Sequence, residues 1–118
     1  MSTTPLKFEH TSLAGAQFND VNLGTARFDD VNLGRATFTN VALTGATFDD
    51  VNLGTARFDD VNLEHATFTN VALAGAMFSD VSLRNVSIAD CNLEGMKING
   101  ILVSEMLVAY ARSNETNY

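Results

Sequence analysis

Val21-Asn22-Leu23-Gly24-Thr25-Ala26-Arg27-Phe28-Asp29-Asp30 recurs without change as Val51 through Asp60, and it contains two kinds of five-residue unit. One unit is centred on leucine with valine two places earlier. The other is centred on phenylalanine with alanine two places earlier. Followed outward in both directions, the pattern divides Leu6 to Gly100 into nineteen units without a lost register. Its centres alternate Phe8, Leu13, Phe18, Leu23 and onward to Phe78 and Leu83, then end on Ile88, Leu93 and Ile98.

Two apolar residues spaced by two have the period of a strand, so each unit supplies two inward side chains with an outward one between them. A spacing of five fits neither a helix nor an extended chain. On a 3.6-residue helix it would spread phenylalanine and leucine over every face. The chain therefore turns a corner every five residues. All eight glycines (Gly15, Gly24, Gly34, Gly45, Gly54, Gly75, Gly95 and Gly100) fall one or two places after a centre, where corners require unusual backbone angles.

The units Ala26-Arg27-Phe28-Asp29-Asp30 and Val21-Asn22-Leu23-Gly24-Thr25 resemble the A(D/N)LXX signature of the pentapeptide-repeat family, and the resemblance covers about four-fifths of the chain. It implies an all-β fold: a right-handed quadrilateral parallel β-helix with four units per coil. Nineteen units then make nearly five coils, about 23 Å tall at the ~4.8 Å strand spacing. On that map Phe8, Phe28, Phe48, Phe68 and Ile88 stack on one face, and Phe18, Phe38, Phe58, Phe78 and Ile98 on the opposite one. Pairing small Ala with large Phe, and Val with Leu, compensates volume in a narrow interior.

A longer period lies over the short one. Residues 15–44 and 45–74 are near-copies, differing only at Gln17/Thr47, Asn19/Asp49, Gly34/Glu64, Arg35/His65 and Thr44/Ala74. Thirty residues are one and a half coils, so duplication carries each copied side chain to the opposite face. Arg27 and Arg57 are thereby expected on opposite sides of the rod. This favours a scaffold or two-sided surface over a single cleft.

The expected organisation is a lead-in at 1–5, a solenoid at 6–100, a helix at 101–112 and a flexible tail at 113–118. Solenoid ends expose core and strand edges and need caps. In the helix, Ser104 reads as the N-cap, Glu105 suits the positive dipole end and Arg112 the negative one. Val103, Met106, Leu107 and Tyr110 share a stripe, with Leu102 beside it. Two readings stay open for these residues: a plug over the base, or the seam of a two-fold homodimer.

The 118 residues carry a net charge of −7 and 46% hydrophobic content, which suits one domain and disfavours a nucleic-acid or anionic-membrane surface. No basic leader and no run of about 18 apolar residues is present, so a cytoplasmic protein is expected. The single cysteine, Cys91, falls at an inward position and reads as core. His10 and His65 fall on different faces, too far apart to share a metal. No phosphate loop or nucleophile–base order appears, so no catalytic residue, cofactor or metal is expected, and the chain reads as a non-enzyme.

The acidic residues remain. Glu9, Asp29, Asp30, Asp49, Asp50 and Asp90 map beside one phenylalanine face, and Asp20, Asp59, Asp60 and Asp80 beside the other. The candidate interaction surface is Asp29, Asp30, Asp49, Asp50, Asp59, Asp60, Asp80 and Asp90. Asx residues close turns with their own side chains, which accounts for Asp or Asn at the second place after each Phe from Phe18 to Phe78. It does not require Asp29, Asp49 or Asp59. Two partner classes stay open: a protein of unknown identity, or DNA gyrase or topoisomerase IV, which acidic DNA-mimicking family members bind.

Overall fold

The computed structural model describes residues 6–116, with side chains through Ala109. The strands, in chain order, are β1 (Lys7–Ser12), β2 (Gln17–Asn19), β3 (Arg27–Asn32), β4 (Thr37–Ala42), β5 (Thr47–Asn52), β6 (Arg57–Asn62), β7 (Thr67–Thr69), β8 (Met77–Ser82), β9 (Ser87–Ala89), β10 (Lys97–Ile98) and β11 (Ile101–Leu102). A helix, α1, follows at Val103–Thr116. The strands form two sheets, ordered β1-β3-β5-β7-β9 and β11-β10-β8-β6-β4-β2. Successive phenylalanine units thus alternate between sheets, and the chain is a β-solenoid of nearly five coils.

The register follows the twenty-residue coil. Phe8 pairs with Phe28, Phe28 with Phe48, Phe48 with Phe68 and Phe68 with Ile88 in the first sheet. Phe18, Phe38, Phe58, Phe78 and Ile98 are paired in the same manner in the second. Neighbouring rings stack with centroids 4.5–4.9 Å apart and planes within 9° of parallel. Phe28 to Phe78 and Leu23 to Leu73 are buried, together with the alanines between them. The outermost coils are thinner: Phe8, Leu13, Phe18, Leu93 and Ile98 are only half-buried.

The corners sit at one fixed place, the second residue after each centre. After phenylalanine these are His10, Asp20, Asp30, Asn40, Asp50, Asp60, Asn70 and Asp80, all with φ between 49° and 58°. After leucine they include Gly15, Thr25, Arg35, Gly45, Thr55, His65 and Gly75. This corrects the glycine reading. Gly24, Gly34 and Gly54, one place after a centre, are not left-handed; there the strained angle falls on Thr25, Arg35 and Thr55.

The C-terminal boundary also differs from expectation. Asn99 and Gly100 take φ of 49° and 79°, a two-residue reversal with both residues left-handed. It folds β11 back antiparallel onto β10, pairing Lys97 with Leu102 and Ile98 with Ile101. Residues 101 and 102 are therefore strand, and the helix starts at Val103, which makes Ser104 a helical residue instead of the cap. It runs on to Thr116, so Arg112 lies outside its last turn and most of the expected tail is helical. Asn117 and Tyr118, like the lead-in at 1–5, lie outside the described residues. Among the described residues no helix is long and apolar enough to cross a membrane.

Candidate interaction surface

In a unit whose inward residues are i−2 and i, positions i−1 and i+1 stand outward on the sheet and i+2 forms the corner. The first sheet therefore carries an outward column Glu9, Asp29, Asp49, Thr69, Ala89, whose members are direct register partners. Beside it runs the corner column His10, Asp30, Asp50, Asn70, Asp90. The second sheet holds Asn19, Thr39, Asp59 and Ser79 in the matching outward column and Asp20, Asn40, Asp60, Asp80 at its corners. Of the candidate residues, Asp29, Asp30, Asp49, Asp50 and Asp90 thus belong to one side and Asp59, Asp60 and Asp80 to the other. Asp59 has no carboxylate above or below it in its column.

Arg27 lies on the first sheet and Arg57 on the second, paired to Thr47 and Thr37 respectively, so the thirty-residue duplication does exchange faces.

The expectation that corner Asp and Asn close turns with their own side chains is corrected by the hydrogen bonds. That work is done by an asparagine directly before five of the leucine centres: Oδ1 of Asn22, Asn32, Asn52, Asn62 and Asn92 accepts the amide two residues on, at 2.8–3.0 Å. Their recurrence directly before these five leucines is the trace they leave in the sequence; Ser or Ala stands there in the other leucine units. The corner residues are selected instead by tolerance of a left-handed φ. Their side chains reach along the rod axis: Asn40 Nδ2 donates to Asp20 Oδ1 at 2.6 Å and Asn70 Nδ2 to Asp50 Oδ1 at 3.5 Å.

Between each corner column and the following leucine unit runs a shallow groove. One, of about 580 Å³, is walled by Asp30, Asp50 and Asp90 with Asn32, Asn52 and Asn92. Its counterpart on the other side, about 520 Å³, is walled by Asp20, Asp60 and Asp80 with Asn22 and Asn62. Asp29 follows Arg27 on its strand, and Asp59 follows Arg57. At the amino end Lys7 pairs with Glu9, and its hydrogen bond and charge lower the Glu9 carboxyl below its ordinary range. His10 Nδ1 lies 2.8 Å from Asp30 Oδ2, and that bond raises the imidazole above its ordinary value. Among the described residues no three His, Cys, Asp or Glu side chains converge as metal ligands do. Cys91 takes the place of valine in the Val31, Val51, Val71 column, half-buried, with Sγ 3.2 Å from the Ala89 carbonyl.

At the base, Val103 and Met96 are buried, while Leu102 and Met106 are half-buried. Leu107 and Val108 remain 55% and 52% exposed. The Tyr110 side chain lies outside the described residues. Ile88 stays 40% exposed below the first sheet. β11 is the last strand of the second sheet, and α1 packs against it.

The profile of the pentapeptide repeat region matches residues 31–106, well over half of the chain. The chain belongs to the pentapeptide-repeat family. Among solved structures, a pentapeptide repeat protein of Nostoc Pcc 7120 is similar at 16% identity and a TM-score of 0.52, over 81% of this chain and 99% of that one. A pentapeptide repeat protein of the Arabidopsis thaliana thylakoid lumen is 25% identical over 80% of this chain and 66% of its own, with a TM-score of 0.46. QnrB1, a plasmid-mediated fluoroquinolone resistance protein, is 15% identical over 88% of this chain and 89% of its own, with a TM-score of 0.29. No curated protein matches the chain. The likeness to the Nostoc protein establishes the shared pentapeptide-repeat solenoid.

Proposed function

We propose that this pentapeptide-repeat chain is a non-catalytic protein-interaction module that presents its carboxylate columns to a protein partner. The observation that supports this most is that the corner carboxylates are free of turn duty. A corner asparagine supplies the same left-handed backbone without charge, and stacked carboxylates ~5 Å apart repel by roughly 0.8 kcal/mol even in water. Retaining the charge on both sides of the rod fits a surface that attracts a basic partner. The deciding experiment is a pull-down from native lysate with the wild type and with Asp30→Asn/Asp50→Asn/Asp60→Asn/Asp80→Asn. A partner retained by the wild type and lost by the folded variant supports the reading; equal retention by both refutes it.

The alternative reading, a DNA mimic for gyrase or topoisomerase IV, draws on the same columns. Duplex DNA carries a charge every ~1.7 Å, about 13 over a ~23 Å rod. Ten carboxylates offset by Lys7, Arg27, Arg57 and Lys97 leave under half of that. A supercoiling assay with and without quinolone separates the two readings: inhibition or protection at micromolar protein favours the mimic. The exposed Leu107 and Val108 keep the homodimer proposal for α1 standing, and a mass in solution that halves on Leu107→Ser/Val108→Ser would support it.

A further inference from the structure

We propose that the first coil is a pH-dependent latch, held onto the second coil by His10 against Asp30 in mild acid and loosened as the imidazole loses its proton. This inference is independent of any partner.

In a solenoid each coil touches only its neighbours, so an end coil opens without disturbing the rest. The first coil is one of the two thinly packed ends. Its β1 and β2 are edge strands, Leu6 and Val21 are exposed, and Phe8, Leu13 and Phe18 are only half-buried. The other corners of its column are Asp30, Asp50, Asn70 and Asp90, all Asx, whereas the first is histidine with φ of 49°. Asparagine would make that corner equally well and without a titrating group. His65, left-handed at a leucine corner, makes no side-chain hydrogen bond among the described residues, so a histidine corner does not of itself create a latch.

The groups around His10 favour its cation. From β3, Asp30 bonds it and Asp29 adds attraction, with the Arg27 cation on the same strand; from β1, Glu9 adds attraction but is already paired with Lys7. The imidazole is raised in the folded state, first by the Asp30 hydrogen bond. A raised histidine contributes its stabilisation fully below the unfolded value near 6.5 and loses it as pH climbs through the higher folded value. The latch is therefore tight in mild acid and slackens as pH climbs from there.

Native-state hydrogen exchange tests this on the Leu13 and Gly15 amides, which donate to Asn32 and Gly34 carbonyls in the coil below. Rates are corrected for intrinsic chemistry and referred to Leu33 and Leu53 in the middle of the rod. Between pH 5.5 and 8.5 the relative protection of the first coil should fall about two- to five-fold, the range for an exposed ion pair. His10→Asn should flatten that dependence. A flat wild-type profile, or a His10→Asn profile that copies the wild type, overturns the proposal. As a second measurement, Asp30→Asn should lower the NMR titration midpoint of the His10 ring; an unmoved midpoint also overturns it.

Discussion

Asn40 Nδ2 donates to Asp20 Oδ1 at 2.6 Å across one coil, in a column that continues to Asp60 and Asp80. The amide separates two carboxylates that would otherwise be consecutive. Asn40→Asp keeps a residue that accepts the left-handed φ of 53° but exchanges a donor for a fourth like charge in the column. It should destabilise the rod by about 1–2 kcal/mol at low ionic strength, from two repulsions and one lost hydrogen bond. Urea melts at 20 mM and 1 M salt check this. Most of the loss should vanish at high salt, where the screening length falls to about 3 Å.

Phe58 lies between Phe38 and Phe78, with ring centroids at 4.7 and 4.5 Å, and is 1% exposed. Phe58→Ala should cost about 3–5 kcal/mol, since no neighbouring coil can move inward to fill the gap without breaking its own ladder. Ala56→Phe should also destabilise, by overpacking the space opposite that ring. Equilibrium denaturation reads both; an unchanged midpoint for either variant contradicts the packing described.

The two glycine classes should separate cleanly. Gly75 has φ of 71°, and a Cβ there would stand 3.1 Å from Thr55 Cγ2. Gly75→Ala should cost more than about 1 kcal/mol from the backbone alone. Gly54 is not left-handed, and its Cβ would meet the end of the Asn52 side chain at 3.1 Å, with the Ala74 carbonyl oxygen at an ordinary 3.8 Å. Glu64 already occupies the equivalent place with its amide still bonded to Asn62. Gly54→Ala should therefore shift the thermal midpoint far less than Gly75→Ala.

Legibility followed the period. The phenylalanine columns, their division between two sheets and the exchange of Arg27 and Arg57 could all be read, because burial imposes the five-residue spacing on every coil. Three features could not. The Asn99-Gly100 reversal was hidden because Gly100 stands where a repeat corner would put glycine anyway, so a hairpin and another coil look alike until β11 pairs with β10. The turn-closing role of Asn22 and its equivalents was assigned to the corner Asp residues, since both places are rich in Asx and only geometry distinguishes a left-handed φ from an accepted amide. The split of the carboxylates was legible as to side, but their freedom from turn duty depended on the same geometry.

The strongest test of the register is a pair of deletions. Removing 45–74 takes out six units, so Leu43 is followed by the unit containing Phe78 and the alternation survives. Every later residue then moves to the opposite sheet, which the duplication shows to be acceptable. Removing 45–69 takes out only five units and leaves a longer rod, yet it brings Leu73 directly after Leu43. From there onward leucines fall in phenylalanine columns and the reverse, opening voids beside some coils and crowding others. If the size of the core governed stability, the shorter deletion would be the more stable of the two. The alternation predicts the opposite: the thirty-residue deletion should melt cooperatively at a reduced temperature, while the twenty-five-residue deletion should give a broad transition or aggregate. Calorimetry of the two proteins decides between size and register, and the reverse ranking would mean that leucine and phenylalanine faces are interchangeable.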